Sequence, residues 1–524
     1  MIRLLFFFVL AVLPNLHAKT GMAIDLRAVR GSVMKIYVVA QEPSFSEPWS
    51  RGRARSSTGS GFYIGDNRIL TNAHVVAQGK FITVLRDGED HPVTARVLHI
   101  AHDCDLALLA VQDEDYLKGA VPLKFGGLPR LRSPVSTIGY PKGGEQISVT
   151  KGVVSRISFR RYAHSAWHRH LLVQVDSAIN SGNSGGPVLQ DLRVVGVAFQ
   201  SHSNAENTGY IIPTAVIRRF LIDVEDGTYD GHPEHGLRII NGALENEATR
   251  QWHGLSIDDG GVKIASVDPG APTAGHIQPG DIILQVAGQP VGLDGKITFQ
   301  GERIDFRTLI DLRQRGEKIR FRLSRDRQGM TAEVPLTATR GQVAWANSYP
   351  EFPPYFAFGG VVFTPLSRDY LKGWGNKWYR KAPVHLRYVH WQKEWESRFR
   401  EARDVVVLAT RLPDPLNAFA KHHQERILDK VNGVAINSIR EIPDALNKGD
   451  PDFIVFEFFG DVVPLVMPRA VALARNEAIL ERYGISRGSW FAGQTLASGN
   501  GDDQPADVDP TTRPVLNNTL APQE

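Results

Sequence analysis

The segment INSGNSGGPVL, residues 179–189, holds Ser184 between Gly182 and the pair Gly185 and Gly186. Glycine lacks a Cβ, so such a loop reaches positive φ and brings its backbone close to another group, which suits presentation of a hydroxyl. Gly, Ser and Asn also dominate ordinary turns, so the loop alone carries no chemistry. A serine becomes a nucleophile only with a general base in reach, and the base needs a carboxylate to hold its tautomer. The chain supplies both upstream. TNAHVV sets His74 just after the apolar stretch RIL, and AHDCDLALLAV sets Asp105 at the head of an apolar strand. Together His74, Asp105 and Ser184 predict acyl transfer through a serine nucleophile. Asp103 competes with Asp105, because strand alternation puts both on one face.

The elements that must position these residues are short and apolar. KIYVVA, SGFYIG, RILTNAHVV, KFITVLR, LALLAV, VSTIGYP, GVVSRI, LLVQVD and VVGVAFQ alternate with Gly, Pro, Asn and Asp from residue 22 to about 224. Evenly spaced short strands with turn signals predict a β-barrel or sandwich unit. PTAVIRRFLIDV closes it as a helix, with Val216, Ile217, Phe220, Leu221 and Val224 at helical spacing. Beyond residue 236, GVKIASVDPGAPTAGHIQPGDIILQVAGQPV (261–291) and DVVVLATRLPDPLNAFAKHHQERILDKVNGVAI (404–436) each read as strand, proline-bearing turn, short helix, strand and Gly-containing hairpin. This internal repeat predicts two related modules, 236–340 and 350–475. The last residues, 490–524, have almost nothing to bury and are expected to be disordered.

The order His, Asp, Ser is the one used by chymotrypsin-like double barrels. With TNAHVV, DCDLALL, VDSAINSGNSGGPV and GVAFQ, residues 22–222 resemble the protease domain of the HtrA/Deg family, and the two later modules resemble PDZ domains. The resemblance implies a mainly β protein: a double β-barrel protease domain followed by two PDZ-like α+β domains. It implies that Ser184 attacks the scissile carbonyl, His74 carries the proton and Asp105 orients His74, the family pattern Asp-Leu-Ala-Leu favouring Asp105 over Asp103. The amides of Gly182 and Ser184 would form the oxyanion hole. Six residues before Ser184, where trypsin-like enzymes carry an aspartate, stands Ala178, followed by Ile179. A pocket lined by these and Phe199 has no charge partner and should prefer small or medium apolar side chains. By the same resemblance, the long loop 40–59 governs access to the site, and Gly236 and Leu237 begin a loop that receives a peptide carboxylate. Gly359 and Gly360 are the corresponding candidates in the second module, while the insertion 293–306 has no assigned purpose.

The whole chain has 524 residues, too many for one core, and three domains with a tail are expected. Arg3 followed by the apolar run Leu4 to Leu13 and the sequence Leu16-His17-Ala18 reads as a signal peptide over residues 1–18. Export is therefore expected, to the periplasm above other compartments, with no stable membrane span. Cys104 is the one cysteine, so no internal disulfide forms and stability must come from packed cores. A net charge of +4 gives no argument for nucleic acid. No metal-ligand cluster, phosphate loop or nucleotide motif is seen, so no cofactor and no metal are expected. The expected function is ATP-independent serine endopeptidase activity on misfolded or damaged proteins. Its alternatives are a chaperone or peptide-binding scaffold with latent protease activity, and a sequence-specific processing protease. Unfolded protein or peptide substrates and a homo-oligomer, a trimer or a multiple of it, are the expected partners.

Overall fold

The run LALLAV forms a strand, Leu106–Val111, buried along its whole length. It reads as continuously apolar because two cores meet across it. Ala107, Leu109 and Val111 join a cluster with Ile36 and Ile69, whereas Leu106 and Leu108 join another with Phe62 and Leu70. Burying each such side chain contributes about 1.5–3 kcal/mol, so the strand and the residue at its head are firmly placed. The computed structural model describes residues 29–144, 146–201, 208–337, 345–393 and 395–491. The expected signal peptide and the tail from 492 lie outside the described residues.

Strands Val33–Pro43 (β1), Arg51–Gly65 (β2), Arg68–Thr71 (β3), Gly79–Arg86 (β4), Val93–Ala101 (β5) and Leu106–Val111 (β6) close an antiparallel barrel in the order β1-β2-β3-β6-β5-β4. Strands Pro134–Gly139 (β7), Ser148–Arg161 (β8), Arg169–Val175 (β9), Pro187–Gln190 (β10), Arg193–Ser201 (β11) and Gly209–Pro213 (β12) close a second, in the order β10-β11-β12-β9-β8-β7. This is a chymotrypsin-like double barrel. A short helix, Ala73–Val76 (α1), leaves β3, and the helix Thr214–Asp223 (α2) ends the unit. On α2, Val216, Ile217 and Phe220 are buried, Val224 just beyond is buried, and Leu221 is half-buried. Buried Arg219, which no apolar periodicity flags, pairs with Asp223 at 2.7 Å and donates to the Gly231 carbonyl at 2.6 Å.

The segment 40–59 is not an irregular loop. β1 and β2 continue pairing out to Pro43 and Arg51, leaving only residues 44–50 as the turn. The tip leans on the distant unit beyond 345: Phe45 packs into one of its apolar clusters, and Trp49 meets Tyr355 edge-on at 6.1 Å. Lys80 on β4 pairs with Glu351 at 2.7 Å beside this contact.

After α2, strands Leu237–Ile240, Val262–Val267, Ile282–Val286, Lys318–Arg325 and Gln328–Pro335 form one antiparallel sheet. The insertion after residue 292 is a hairpin, Lys296–Phe299 with Glu302–Asp305, whose second strand packs against β8. The following unit holds two four-stranded sheets, one of them completed by Ser489–Trp490 pairing with Tyr355 and Phe356, so it runs past 475 to Trp490. The repeat between 261–291 and 404–436 is present as strand, turn, strand and hairpin, but the short helix is not. In the first copy, Pro269, Pro272 and Pro279 leave only turns, and in the second, two 3-10 turns stand in its place. A helix Val384–Gln392 (α3) lies before that second copy.

Candidate active site

His74 sits within α1, one turn after β3, and Asp105 precedes β6, which pairs with β3 through Thr71 and Ala107. Strand pairing thereby sets the two residues side by side. Asp105 Oδ2 lies 2.6 Å from His74 Nδ1, and its Oδ1 accepts the His74 amide at 2.7 Å. Asp105 is fully buried and has φ +54°, a left-handed conformation held by Asn72, whose side-chain amide donates to the Asp105 carbonyl at 2.9 Å. Burial alone would lower the His74 pKa. The Asp105 carboxylate, through its charge and hydrogen bond, instead carries it above the ordinary histidine value.

Ser184 reaches the same place from the second barrel, half-buried between β9 and β10. Its Oγ donates to the Phe199 carbonyl at 3.4 Å, and the Phe199 ring lies 6.5 Å from the His74 ring. Ser184 and His74 thus flank Phe199 without a hydrogen bond to one another among the described residues. In this loop the amides of Asn183, Gly185 and Gly186 are spent on Asn180, Ala198 and Asn183 carbonyls, at 3.0, 2.9 and 3.0 Å. Those of Gly182 and Ser184 have no acceptor among the described residues, which is what an oxyanion-binding pair requires. Gly182 needs its φ of +101°, and a Cβ on Gly185 would lie 2.0 Å from the Ser60 carbonyl oxygen.

Ser60 escaped the sequence reading. Fully buried in β2, it donates from Oγ to the Gly182 carbonyl at 2.7 Å and accepts the Tyr140 amide at 2.8 Å, while its own amide donates to the Ser184 carbonyl at 2.8 Å. Its one sequence signal is GSGFYIG, a serine flanked by glycines as in the Ser184 loop. His164 was missed as well. Its ring centroid is 6.1 Å from that of His74 and 4.1 Å from that of Tyr349, nearly parallel to the latter, and its Nε2 meets His102 Nδ1 at 2.9 Å. Asn347 Nδ2 and the Tyr349 hydroxyl both donate to the His164 carbonyl, at 2.7 and 2.9 Å, so the strand of chain between the two downstream units lies on the rim of the site. Burial pushes the His164 pKa down to about 4.

Of the expected pocket residues, Ile179 and Phe199 are buried, and Ile179 fills the space where a Cβ on Gly209 would stand. Ala178 is exposed, and its carbonyl accepts the Thr150 hydroxyl at 3.1 Å. The Asp176 carboxylate is engaged by the Val153 amide at 2.5 Å. Asp103 turns to the junction with the next unit: Oδ1 accepts the Tyr229 hydroxyl at 2.6 Å, and Oδ2 the His232 amide at 3.1 Å. Cys104 beside it is buried, and burial pushes its thiol pKa up.

At that junction His170 Nδ1 and His232 Nδ1 each lie 2.9 Å from Asp311 Oδ1, all three residues buried. His170 Nε2 donates to the Asp103 carbonyl at 3.0 Å. These donor atoms are close enough together to hold a cation, but their spacing is that of N–H groups donating to one carboxylate, and they serve as a polar joint between domains. Burial would raise the Asp311 pKa, yet the two imidazoles hold it well below the usual carboxylate range.

Gly236 has φ +65°, and a Cβ added there would lie 2.3 Å from Ala271 Cβ; with Leu237 it borders a cavity of about 640 Å³ shared with Trp167, Trp345 and Trp391. Gly359 and Gly360 have φ +56° and +79°. They are a hairpin turn whose first amide donates to Asn476 Oδ1 at 3.0 Å, and a Cβ on Gly360 would meet Asn417 Nδ2 at 2.2 Å.

Residues 59–197 match the trypsin-like peptidase domain, and residues 345–489 match a PDZ domain. Protease Do-like 2, chloroplastic, of Arabidopsis thaliana is 36% identical over 459 residues, 87% of this chain and 74% of its own. Protease Do-like 4, mitochondrial, of the same plant is 37% identical over 427 residues, 81% of this chain and 78% of its own. The solved structure of the HtrA-type protease AlgW with a tripeptide is 22% identical, over 60% of this chain and 95% of its own, with a TM-score of 0.47. By the extent and identity of the two plant relatives, together with the double barrel, the chain belongs to the HtrA/Deg, or Do-like, family of trypsin-like serine proteases.

Proposed function

We propose that this chain is an ATP-independent endopeptidase that degrades misfolded or damaged proteins outside the cytoplasm, in the periplasm if the leader-like residues 1–18 direct export. The observation that carries the reading is the buried carboxylate of Asp105 bound to His74 Nδ1 at 2.6 Å, with Ser184 beside the same Phe199. In this mechanism His74 takes the Ser184 proton as the oxygen attacks the carbonyl carbon, and later gives it to the leaving amine. Asp105 holds the tautomer and stabilises the imidazolium, and the Gly182 and Ser184 amides receive the oxyanion. Ile179 and Phe199 line an uncharged pocket, with Ala178 at its edge, that takes small aliphatic side chains. Gly236 and Leu237 receive a peptide carboxylate at a first PDZ-like unit, and the protein works as a trimer or a multiple of it.

The test is digestion of casein by the purified protein beside Ser184→Ala, with fragment masses and sizing of both. Loss of cleavage on the order of a millionfold, with unchanged size and cuts after small aliphatic residues, is expected. Cleavage by the variant would refute the nucleophile, and cuts after Lys or Arg would refute the pocket. A second reading, a latent protease acting first as a peptide-binding scaffold, is favoured by one observation: Ser184 Oγ is bonded to Phe199 and not to His74. Casein bound but uncut by the unmodified protein would decide for it.

A further inference from the structure

The helix α3 packs inward through Leu386, Val389 and His390, all buried. At about 100° per residue the opposite side of the helix passes through Val384, Tyr388 and Trp391. That side of a surface helix is ordinarily polar. Here Val384 is 71% exposed, Tyr388 52% and Trp391 45%, and Trp395, in the turn beyond, is 57% exposed. The preceding short helix, Trp378–Lys381, joins this face, since the Trp378 ring stacks on that of Trp391 at 6.1 Å and the Tyr379 carbonyl accepts Arg387 Nη1 at 3.0 Å. From Leu371 to Lys393 the sequence carries six Lys and Arg and no Asp or Glu, and beyond it Glu394 and Glu396 flank Trp395. Of these cations Lys377, Arg380 and Lys381 are exposed, whereas Lys393 is buried and Lys372 is tied to Asp369 at 2.9 Å. An exposed apolar stripe of this extent marks an interaction surface.

We propose that this face docks on an anionic lipid bilayer surface. Tyr and Trp combine an apolar ring with a polar tip, which suits the headgroup zone, and the exposed cations Lys377, Arg380 and Lys381 at the Val384 end suit a fixed negative surface. The stripe is a convex helix face, which lies flat on a bilayer as interfacial amphipathic helices do. Binding is peripheral, and among the described residues no helix is long and apolar enough to cross a membrane.

The experiment uses the full chain carrying Ser184→Ala, floated with phosphatidylcholine vesicles with and without phosphatidylglycerol. Co-flotation with the anionic vesicles, weakened by salt, is expected. Arg380→Glu with Lys381→Glu should lower the partition roughly tenfold or more, and Tyr388→Ser with Trp395→Ser should lower it comparably, both with unchanged thermal unfolding and unchanged assembly size. Absence of flotation, or equal flotation by all variants, would overturn the proposal. A change of assembly size in either variant would overturn it in favour of a contact between copies. Loss of affinity for unfolded casein with vesicle partition intact would overturn it in favour of a polypeptide partner.

Discussion

Ser60→Ala removes one oxygen from a buried position that touches neither His74 nor Asp105, and it should still impair turnover. The hydroxyl links Gly182 to Tyr140, donating to one carbonyl at 2.7 Å and accepting one amide at 2.8 Å. Alanine strands both groups inside the protein. Each unsatisfied buried group costs about 1–3 kcal/mol, so a loss of roughly 3 kcal/mol is expected after partial relaxation, and the midpoint of unfolding should fall by about 6–12 °C for a unit of this size. The Ser60 amide still reaches the Ser184 carbonyl, and Thr71 Oγ1 still reaches the Ser60 carbonyl, so the barrel around the site stays in place. What loosens is Gly182, whose amide is half of the proposed oxyanion pair. Loss of a whole oxyanion donor costs about 10²–10³ in kcat, and a donor only partly displaced should cost about 10 to 100-fold, in kcat with KM little changed. Kinetics on a peptide substrate well below the midpoint, alongside thermal unfolding, separate the two effects. A variant that melts lower yet turns over within twofold of the unmodified protein would show that Ser60 supports the fold and not the oxyanion loop.

The two aspartates near β6 should part company in the same assays. Asp105→Asn should cost about ten-thousandfold in kcat by leaving His74 in the wrong tautomer, whereas Asp103→Asn should weaken the junction with Tyr229 and His232, lowering stability with activity kept within a few-fold; the reverse ranking would refute the assignment. Because Asp105 raises the His74 pKa against the effect of burial, and neutral His74 is the working base, kcat/KM should be full at alkaline pH and fall as the pH drops through a value above the ordinary histidine pKa of about 6.5; a half-point at or below that value in the pH–rate profile would count against the pair. His390 is fully buried with neither ring nitrogen hydrogen-bonded among the described residues, and burial pushes its pKa down to about 4. The unfolded chain protonates this histidine first, so its contribution is intact above about 6.5 and is lost as the pH falls towards 4, a change of roughly 3 kcal/mol. His390→Phe should therefore flatten the acid side of a denaturant-melt series while stabilising at neutral pH by about 1–3 kcal/mol, and an unaltered acid slope would contradict the burial argument.

Much of the site could be read along the chain because its parts are local. The glycine-flanked Ser184, the aspartate heading an apolar strand and the histidine following another are each short patterns, and the order of the three names the architecture. The nine apolar stretches became strands, RILTNAHVV only over Arg68–Thr71 before helix α1, while Val93–Ala101, Pro187–Gln190 and Gly209–Pro213 went unread. The first is interrupted by Arg96 and His99 and mostly half-buried, and the other two are short and begin with Pro or Gly. Helix α2 followed from its spacing alone. Helix α3, Val384–Gln392, went unread.

The tertiary structure decided whatever depends on residues far apart in sequence. Ser60 holds the Ser184 loop because it lies 122 residues from Gly182 in sequence but 2.7 Å from its carbonyl in space, a juxtaposition made by two barrels packing, which no local period encodes. The same holds for Tyr349 stacked on His164 beside the site, for the β1–β2 hairpin leaning on the unit beyond 345, and for Asp103 turned to the domain junction while Asp105, two residues on and in a left-handed conformation, meets His74. Local propensity sets where strands and turns fall, because backbone sterics and hydrophobic alternation act over a few residues. Which hydroxyl meets which carbonyl is settled by closed barrels and shared cores, whose geometry is a property of the whole chain.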